Sequence, residues 1–334
     1  MTSTPRRLEG VSGSSESLSN LALARGTLDR AGVRRKDPEL LPSLLKDPST
    51  QVLELNAGRA EVIDPDRDIA LLLRSPGEQD TSRLAFFLGQ DGDGTAYVGV
   101  VDEAQDPAAN SQWRTLREVG VLLSDRDAGL FATMLGLANW HATHTHCPRC
   151  GASTEPDQSG WIRRCPQDDS EHYPRTDPAV IMAVTDDADR LLLARSPHWP
   201  EGRLSVLAGF VEPGESLEAA VAREVLEEVG VVVEQVRYLG NQPWPFPSSL
   251  MVGFTSRAVD PTLHLDMEEI VEAVWVTRAE LREMVPAGRF GISPSVSIAR
   301  RIIENWYGGP IGPQVERPAS GQPKPNLGQG RVGG

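Results

Sequence analysis

The sequence predicts an α+β fold, an α/β/α sandwich around a mixed sheet, with further β structure ahead of it. Three observations carry this. Strand-like apolar runs, VIMAV, LLLAR and SVLAGF before a helical stretch and VVVEQVRYLG after it, interleave with helices. Their connections are mixed, which fits a mixed sheet between helices. Finally, the 334 residues allow about two domains, and a hydrophobic fraction of 39% is enough to fill their cores.

Residues 1–20 are rich in Ser, Gly and Thr and are expected to be disordered, with a short helix possible from Leu18 to Leu28. From about residue 50, QVLELN, DIALLLRS, RLAFFLG and TAYVGVVDE read as strands. The last two flank Gln90 to Gly94, whose aspartates suit a hairpin turn, because nothing completes a calcium loop. Ser124 and Asp125 mark a helix start, and helical spacing continues to about Ala142. Residues 25–140 are therefore expected to form one β-rich N-terminal domain closed by a helix.

Cys147, Cys150 and Cys165 are the only cysteines, and an odd count argues against a disulfide framework. Cys147-x-x-Cys150 followed by Cys165 is most of a zinc ribbon, expected over 143–175. Asp168 stands where the fourth cysteine would be. Asp168 can ligate zinc; His172, His146 and His144 are alternatives, as is a ribbon that no longer holds metal.

The domain over 176–306 begins with a hairpin around Asp186 to Asp189, continues through SVLAGF and a helix, and then reaches VVVEQVRYLG, MVGFTSRAV and EAVWVT as further strands. Thr277 caps a short helix, and Ser295 to Trp306 make the last one. Residues 307–334 are rich in Gly and Pro, cannot bury a core, and are expected to be a disordered tail.

The net charge of −14 argues against broad electrostatic attraction to nucleic acid or anionic membranes, though not against a local RNA site. No apolar run reaches membrane-spanning length, and the N-terminus lacks the apolar stretch of a signal peptide. A cytoplasmic protein with no membrane partner is expected.

The most informative segment is Gly209 to Val231, GFVEPGESLEAAVAREVLEEVGV. Glu224, Glu227 and Glu228 fall at i, i+3 and i+4, so a helix brings all three carboxylates to one face. Such a cluster is unfavourable on an ordinary surface helix, but hard oxygens converging on one point are what Mg²⁺ or Mn²⁺ requires. Glu228 or Glu227 is the candidate for both metal ligand and proton acceptor. Arg223 is expected to hold the loop and the glutamates in place. Downstream, Asn241, Gln242, Pro243, Trp244, Pro245, Phe246, Pro247 and Ser248 interleave prolines with aromatics. This stiff, extended segment suits either a flat stacking ligand or packing on a neighbouring element.

Gly209, Glu215, Arg223, Glu224, Val225, Glu227, Glu228, Gly230 and Val231 match every specified position of the signature of the Nudix hydrolases. The 241–248 array resembles SQPWPFPxS of the NADH pyrophosphatase family within them, as does the order of N-terminal domain, zinc ribbon and catalytic domain. The chain departs at Asn241, in place of Ser, and at Asp168, in place of Cys. The resemblance implies a Nudix sandwich, and a homodimer that cleaves NAD(H) to nicotinamide mononucleotide and AMP and removes NAD caps from RNA 5′ ends. It also implies metal ligands at the Ala208 carbonyl and at Glu224, Glu228 and Glu269. Substrate positions carry over to the 241–248 array, Tyr173, Ala299 and Arg117, with Phe210 stacking on nicotinamide. Alternatives are a Nudix hydrolase for ADP-ribose, diadenosine or damaged nucleotides, or a non-catalytic zinc-ribbon module binding RNA or protein.

Overall fold

The computed structural model describes residues 17–63, 69–102, 112–286, 291 and 293–312. Within these residues the chain forms two compact units, one of 22–175 and 245–248, the other of 17–21, 176–244 and 249–312.

The first unit opens with helix α1 (Leu40–Leu44) and strands β1 (Gln51–Asn56), β2 (Arg59–Ile63), β3 (Ala70–Leu71), β4 (Leu73–Arg74), β5 (Ala85–Gln90), β6 (Ala96–Asp102) and β7 (Trp113–Thr115). Their sheet runs β3-β2-β1-β6-β5, with β4 on β1 and β7 on β2. The parallel pairing of β1 with β6 brings Val52 beside Val98, and both join Leu40, Leu44 and Phe87 in a buried cluster. Helices α2 (Leu116–Val119) and α3 (Asp125–Thr143) follow. The Ser124 hydroxyl accepts the Asp127 N–H at 3.2 Å, satisfying one of the free amides of the α3 start. Strands β8 (Glu155–Asp157), β9 (Ile162–Arg164) and β10 (Glu171–His172) make a small antiparallel sheet.

The second unit contains β11 (Asp177–Thr185), β12 (Leu191–Arg195), β13 (Leu207–Phe210), α4 (Leu217–Val229), β14 (Val233–Trp244), β15 (Ser249–Ala258), β16 (Glu272–Val276), α5 (Arg278–Met284) and α6 (Ile298–Tyr307). The sheet order is β14-β15-β11-β12-β16, with β13 on β11. Only β11 and β15 pair in parallel, so the sheet is mixed. Alternation along β11 builds the sandwich. Val180, Met182 and Val184 pack with Val221, Val225 and Val229 of α4, while Ile181 and Ala183 pack with Ile298, Ile302 and Ile303 of α6. The α+β sandwich expected from the strand and helix pattern is the fold observed.

Several local expectations are corrected. Leu18 to Leu28 is not helical: the Leu18 N–H donates to the Leu239 carbonyl at 2.6 Å, and Arg25 hydrogen-bonds to Asp125 and to the carbonyls of Gly120 and Leu123. The Leu18 amide is thus paired with a distant strand, and the Arg25 side chain ties the segment to the start of α3. DIALLLRS is split into two strands of two residues each, and Arg59–Ile63 and Trp113–Thr115 add strands that local pattern did not reveal. The last helix, expected over Ser295 to Trp306, runs Ile298–Tyr307 and is capped by Ser297. Packing continues past Tyr307, since Ile311 is buried and its N–H donates to Glu304 Oε1 at 3.2 Å. The expected disordered ends at 1–16 and 313–334 lie outside the described residues. The array at 241–248 is not extended throughout: Asn241 to Trp244 finish β14, and Pro245 to Ser248 form the turn into β15.

Candidate active site

Three segments meet at the end of α4. Antiparallel pairing with β11 sets Ala208 of β13 opposite Ile181. The loop after β13 enters α4 through Ser216, whose hydroxyl accepts the Ala219 N–H at 3.1 Å. Gly230 ends α4 at φ 71°, a left-handed cap that glycine adopts without strain. Beyond β15, the Asp266 N–H donates to the Glu228 carbonyl at 3.1 Å, and the Asp266 carbonyl accepts from Glu269 and Ile270. That tight turn lays the acidic segment against the helix end.

Arg223 organises the glutamates as expected. Its guanidinium donates to both Glu215 carboxylate oxygens (2.8 and 3.0 Å), to Glu224 Oε1 (2.9 Å), to Glu227 Oε2 (2.9 Å) and to the Phe210 carbonyl (2.8 Å). Gly209 has a separate role: any Cβ there would collide with the Glu224 carboxylate. Glu224 and Glu228 are both buried, whereas Glu227 is exposed and engaged by Arg223. Glu228 Oε2 is buried with no hydrogen-bond partner. Burial pushes its carboxyl up to about 8, and the neighbouring Glu224, Glu269 and Glu227 charges add to the rise. A buried, unpaired acceptor among like charges is costly in the protein alone and is relieved by a cation. These residues therefore fit a divalent ion.

A cavity of about 540 Å³ opens beside the cluster, lined in part by Ala208, Glu228, Glu268 and Glu269. Glu224 is not in its lining; its carboxylate lies beneath Gly209. Glu268, which local sequence did not single out, is there because the Asp266 carboxylate accepts its N–H at 2.9 Å.

In the first unit, one ligand atom from each of Cys147, Cys150, Cys165 and Asp168 lies within 4.8 Å of the others. Cys150 and Cys165 Sγ are 3.5 Å apart, close to the ~3.7 Å spacing that tetrahedral zinc with ~2.3 Å bonds imposes. Hydrogen bonds from Ser170 hold the Asp168 carboxyl well below the usual carboxylate range. The group includes none of His144, His146 and His172; His172 Nε2 instead lies 3.1 Å from Ser170 Oγ. The four residues fit zinc.

The remaining candidates divide. Phe210 and Tyr173 are well exposed, at 61% and 65%, and the Tyr173 hydroxyl donates to Glu171 at 2.7 Å. Asn241 donates to the Tyr238 hydroxyl at 2.6 Å. Gln242 is fully buried and donates to the Val296 carbonyl at 3.0 Å, and Ala299 is buried among the α6 core residues, so both side chains are committed to packing. Pro243 and Pro247 are exposed, Trp244 and Ser248 half-buried, and Pro245 buried. Arg117 lies over the Phe246 ring at 3.9 Å. Asn139, with no sequence signal of its own, donates to the Pro245 and Pro247 carbonyls at 3.0 and 3.1 Å and braces the turn.

The NUDIX domain family matches residues 175–296, which, with the glutamate helix, defines the class as a Nudix hydrolase. The NADH pyrophosphatase zinc ribbon domain matches residues 142–173. The NAD-capped RNA hydrolase NudC of Mycobacterium tuberculosis (strain ATCC 25618 / H37Rv) is 44% identical, over 66% of this chain and 75% of that one. The NAD-capped RNA hydrolase NUDT12 of Homo sapiens is 40% identical, over 55% of this chain and 42% of its own length. A NUDIX hydrolase structure from Nitrosomonas europaea aligns at a TM-score of 0.39 and 23% identity, over 50% of this chain and 95% of that one. The chain belongs to the NADH pyrophosphatase family of Nudix hydrolases. Members of the Nudix class use divalent metal ions. Among the described residues, no helix is long and apolar enough to cross a membrane.

Proposed function

We propose that this protein hydrolyses the diphosphate of NAD(H) to nicotinamide mononucleotide and AMP, and that it removes NAD caps from RNA 5′ ends. The observation that carries this reading is the buried, unpartnered Glu228 oxygen among Glu224, Glu227 and Glu269 at the mouth of a cavity. The substrate class is supported by the two NAD-capped RNA hydrolases and by the aromatic-proline array.

Mg²⁺ or Mn²⁺ would be held by Glu224, Glu228, Glu269 and the Ala208 carbonyl, and would supply charge neutralisation of the diphosphate and a more acidic attacking water. Glu228 would accept the proton of that water. Arg223 keeps Glu224 and the Phe210 carbonyl in register, so it positions rather than reacts. Cys147, Cys150, Cys165 and Asp168 would hold a structural zinc. Exposed Phe210 and Tyr173 and half-buried Trp244 are the candidate aromatic residues for the nicotinamide ring.

We further propose a C₂ homodimer in which Tyr173 or Trp244 serves the partner's glutamates; a monomeric mass in solution would exclude it. The function is tested by turnover of NADH beside ADP-ribose with Mn²⁺. NADH is expected to be preferred, and strong preference for ADP-ribose would replace this reading with the alternative one.

A further inference from the structure

The cavity beside Glu228 has a second wall that none of the residues named so far accounts for. After β12 the chain turns through Ser196 to Arg203 before reaching β13. The Trp199 N–H donates to the Ser196 carbonyl at 3.0 Å, and the Arg203 N–H donates to the Pro200 carbonyl at 3.2 Å. Arg195 pairs with Glu272 at 2.9 Å and reaches the Trp199 carbonyl at 3.4 Å. The Gly291 N–H donates to the Gly202 carbonyl at 2.7 Å. A loop braced at both ends presents its side chains in a defined place.

Trp199 is half-buried and lines the cavity together with Pro197, His198, Glu228, Glu268 and Glu269. The Arg203 guanidinium lies 5.0 Å from its ring centroid, so a cation already covers part of the indole. The indole N–H has no hydrogen-bond partner among the described residues. Its ring contributes to a cavity that also carries the acidic residues Glu228, Glu268 and Glu269.

A dinucleotide diphosphate carries two flat rings, one on each side of its phosphates. The 241–248 array is the candidate holder of nicotinamide, and none of its residues lines this cavity. We propose that Trp199 is the stacking platform for the adenine ring, so that the adenosine half of the substrate occupies the cavity beside Glu228 and Glu269. In a capped RNA this half is the first nucleotide of the chain. The proposal rests on the reading of the protein as a dinucleotide diphosphatase, but its test does not require turnover.

The test is calorimetric titration of the full chain with Mg²⁺, using AMP and, separately, nicotinamide mononucleotide. Wild type is compared with Trp199→Ala, Trp199→Leu and Trp199→Phe. Stacking predicts that AMP binding weakens roughly 5- to 100-fold in the Ala and Leu variants and is largely restored in the Phe variant. Binding of nicotinamide mononucleotide should stay unchanged in all of them. The Leu variant keeps apolar bulk without a π-face, so it remains informative if the Ala variant fails to fold. AMP binding restored by Leu as well as by Phe would show mere packing and overturn the proposal. So would an equal loss for both ligands, a loss confined to nicotinamide mononucleotide, or a wild-type protein that does not bind AMP. A wild type that binds AMP through Trp199 but does not cleave NADH would sink the proposed function alone.

Discussion

The Glu224 carboxylate occupies the space that a side chain on residue 209 would fill. Gly209 is thus needed for lack of a Cβ rather than for backbone freedom, because its φ is unexceptional. Gly209→Ala is expected to push Glu224 away from Arg223 and lower turnover roughly 10- to 100-fold, as for other residues supporting metal ligands. Steady-state kinetics with saturating Mn²⁺ check this. Turnover equal to wild type would mean that Glu224 relocates without consequence.

Glu228→Gln removes the charge from the most crowded carboxylate. Turnover should fall by about a hundredfold or more, because an amide neither accepts the proton nor holds the metal as well. The metal-free protein should show the opposite change and become more stable. With the folded carboxyl raised to about 8 and the unfolded one near 4.5, the folded form holds an extra proton between these values. Metal-free wild type therefore loses stability as pH rises through that window, and Glu228→Gln should not show this component. Thermal melts of both proteins in chelator, from pH 5 to 8, decide the point.

His141 predicts acid sensitivity in the other unit. It is buried, lies 2.9 Å from the Gly160 carbonyl and 2.9 Å from Arg163 Nη1, and burial lowers it from 6.5 to about 4. Between those values the unfolded chain binds a proton that the folded chain refuses, so stability is lost as pH falls from 6.5 toward 4. The full loss from this group is on the order of 3 kcal/mol. Denaturant melts across that range should show it, and His141→Gln should flatten the difference.

Asp168 and His172 can be separated by metal content. Asp168→Ala should lose zinc and melt earlier, while His172→Ala should keep its zinc, because only Asp168 joins the three thiols within 4.8 Å. Elemental analysis of the purified variants reads this directly, and zinc retained by Asp168→Ala would assign the fourth position elsewhere.

Much of the second unit was legible because its signals are local. Glu224, Glu227 and Glu228 needed only helical spacing, and Ser216, Thr277 and Gly230 cap helices by chemistry visible within a few residues. The hairpin around Asp186 to Asp189 was equally plain, since antiparallel neighbours are joined by a short turn. What stayed hidden depends on distant partners. The parallel pairing of β1 with β6 and the two-residue strands near Leu71 cannot be read from alternation over so few positions. Three prolines suggested a stiff extended array, but Asn139 bends its second half into a turn and Gln242 faces the core. Trp199 belongs to no motif; only the folded loop brings it to the cavity of Glu228.

The central claim is tested most directly by identifying the products of NADH incubated with the full-length protein and Mn²⁺. Mass spectrometry should find reduced nicotinamide mononucleotide and AMP in equal amounts, formed about a hundredfold or more slower by Glu228→Gln. Intact NADH, or cleavage that leaves ADP-ribose and free nicotinamide, would contradict hydrolysis at the diphosphate.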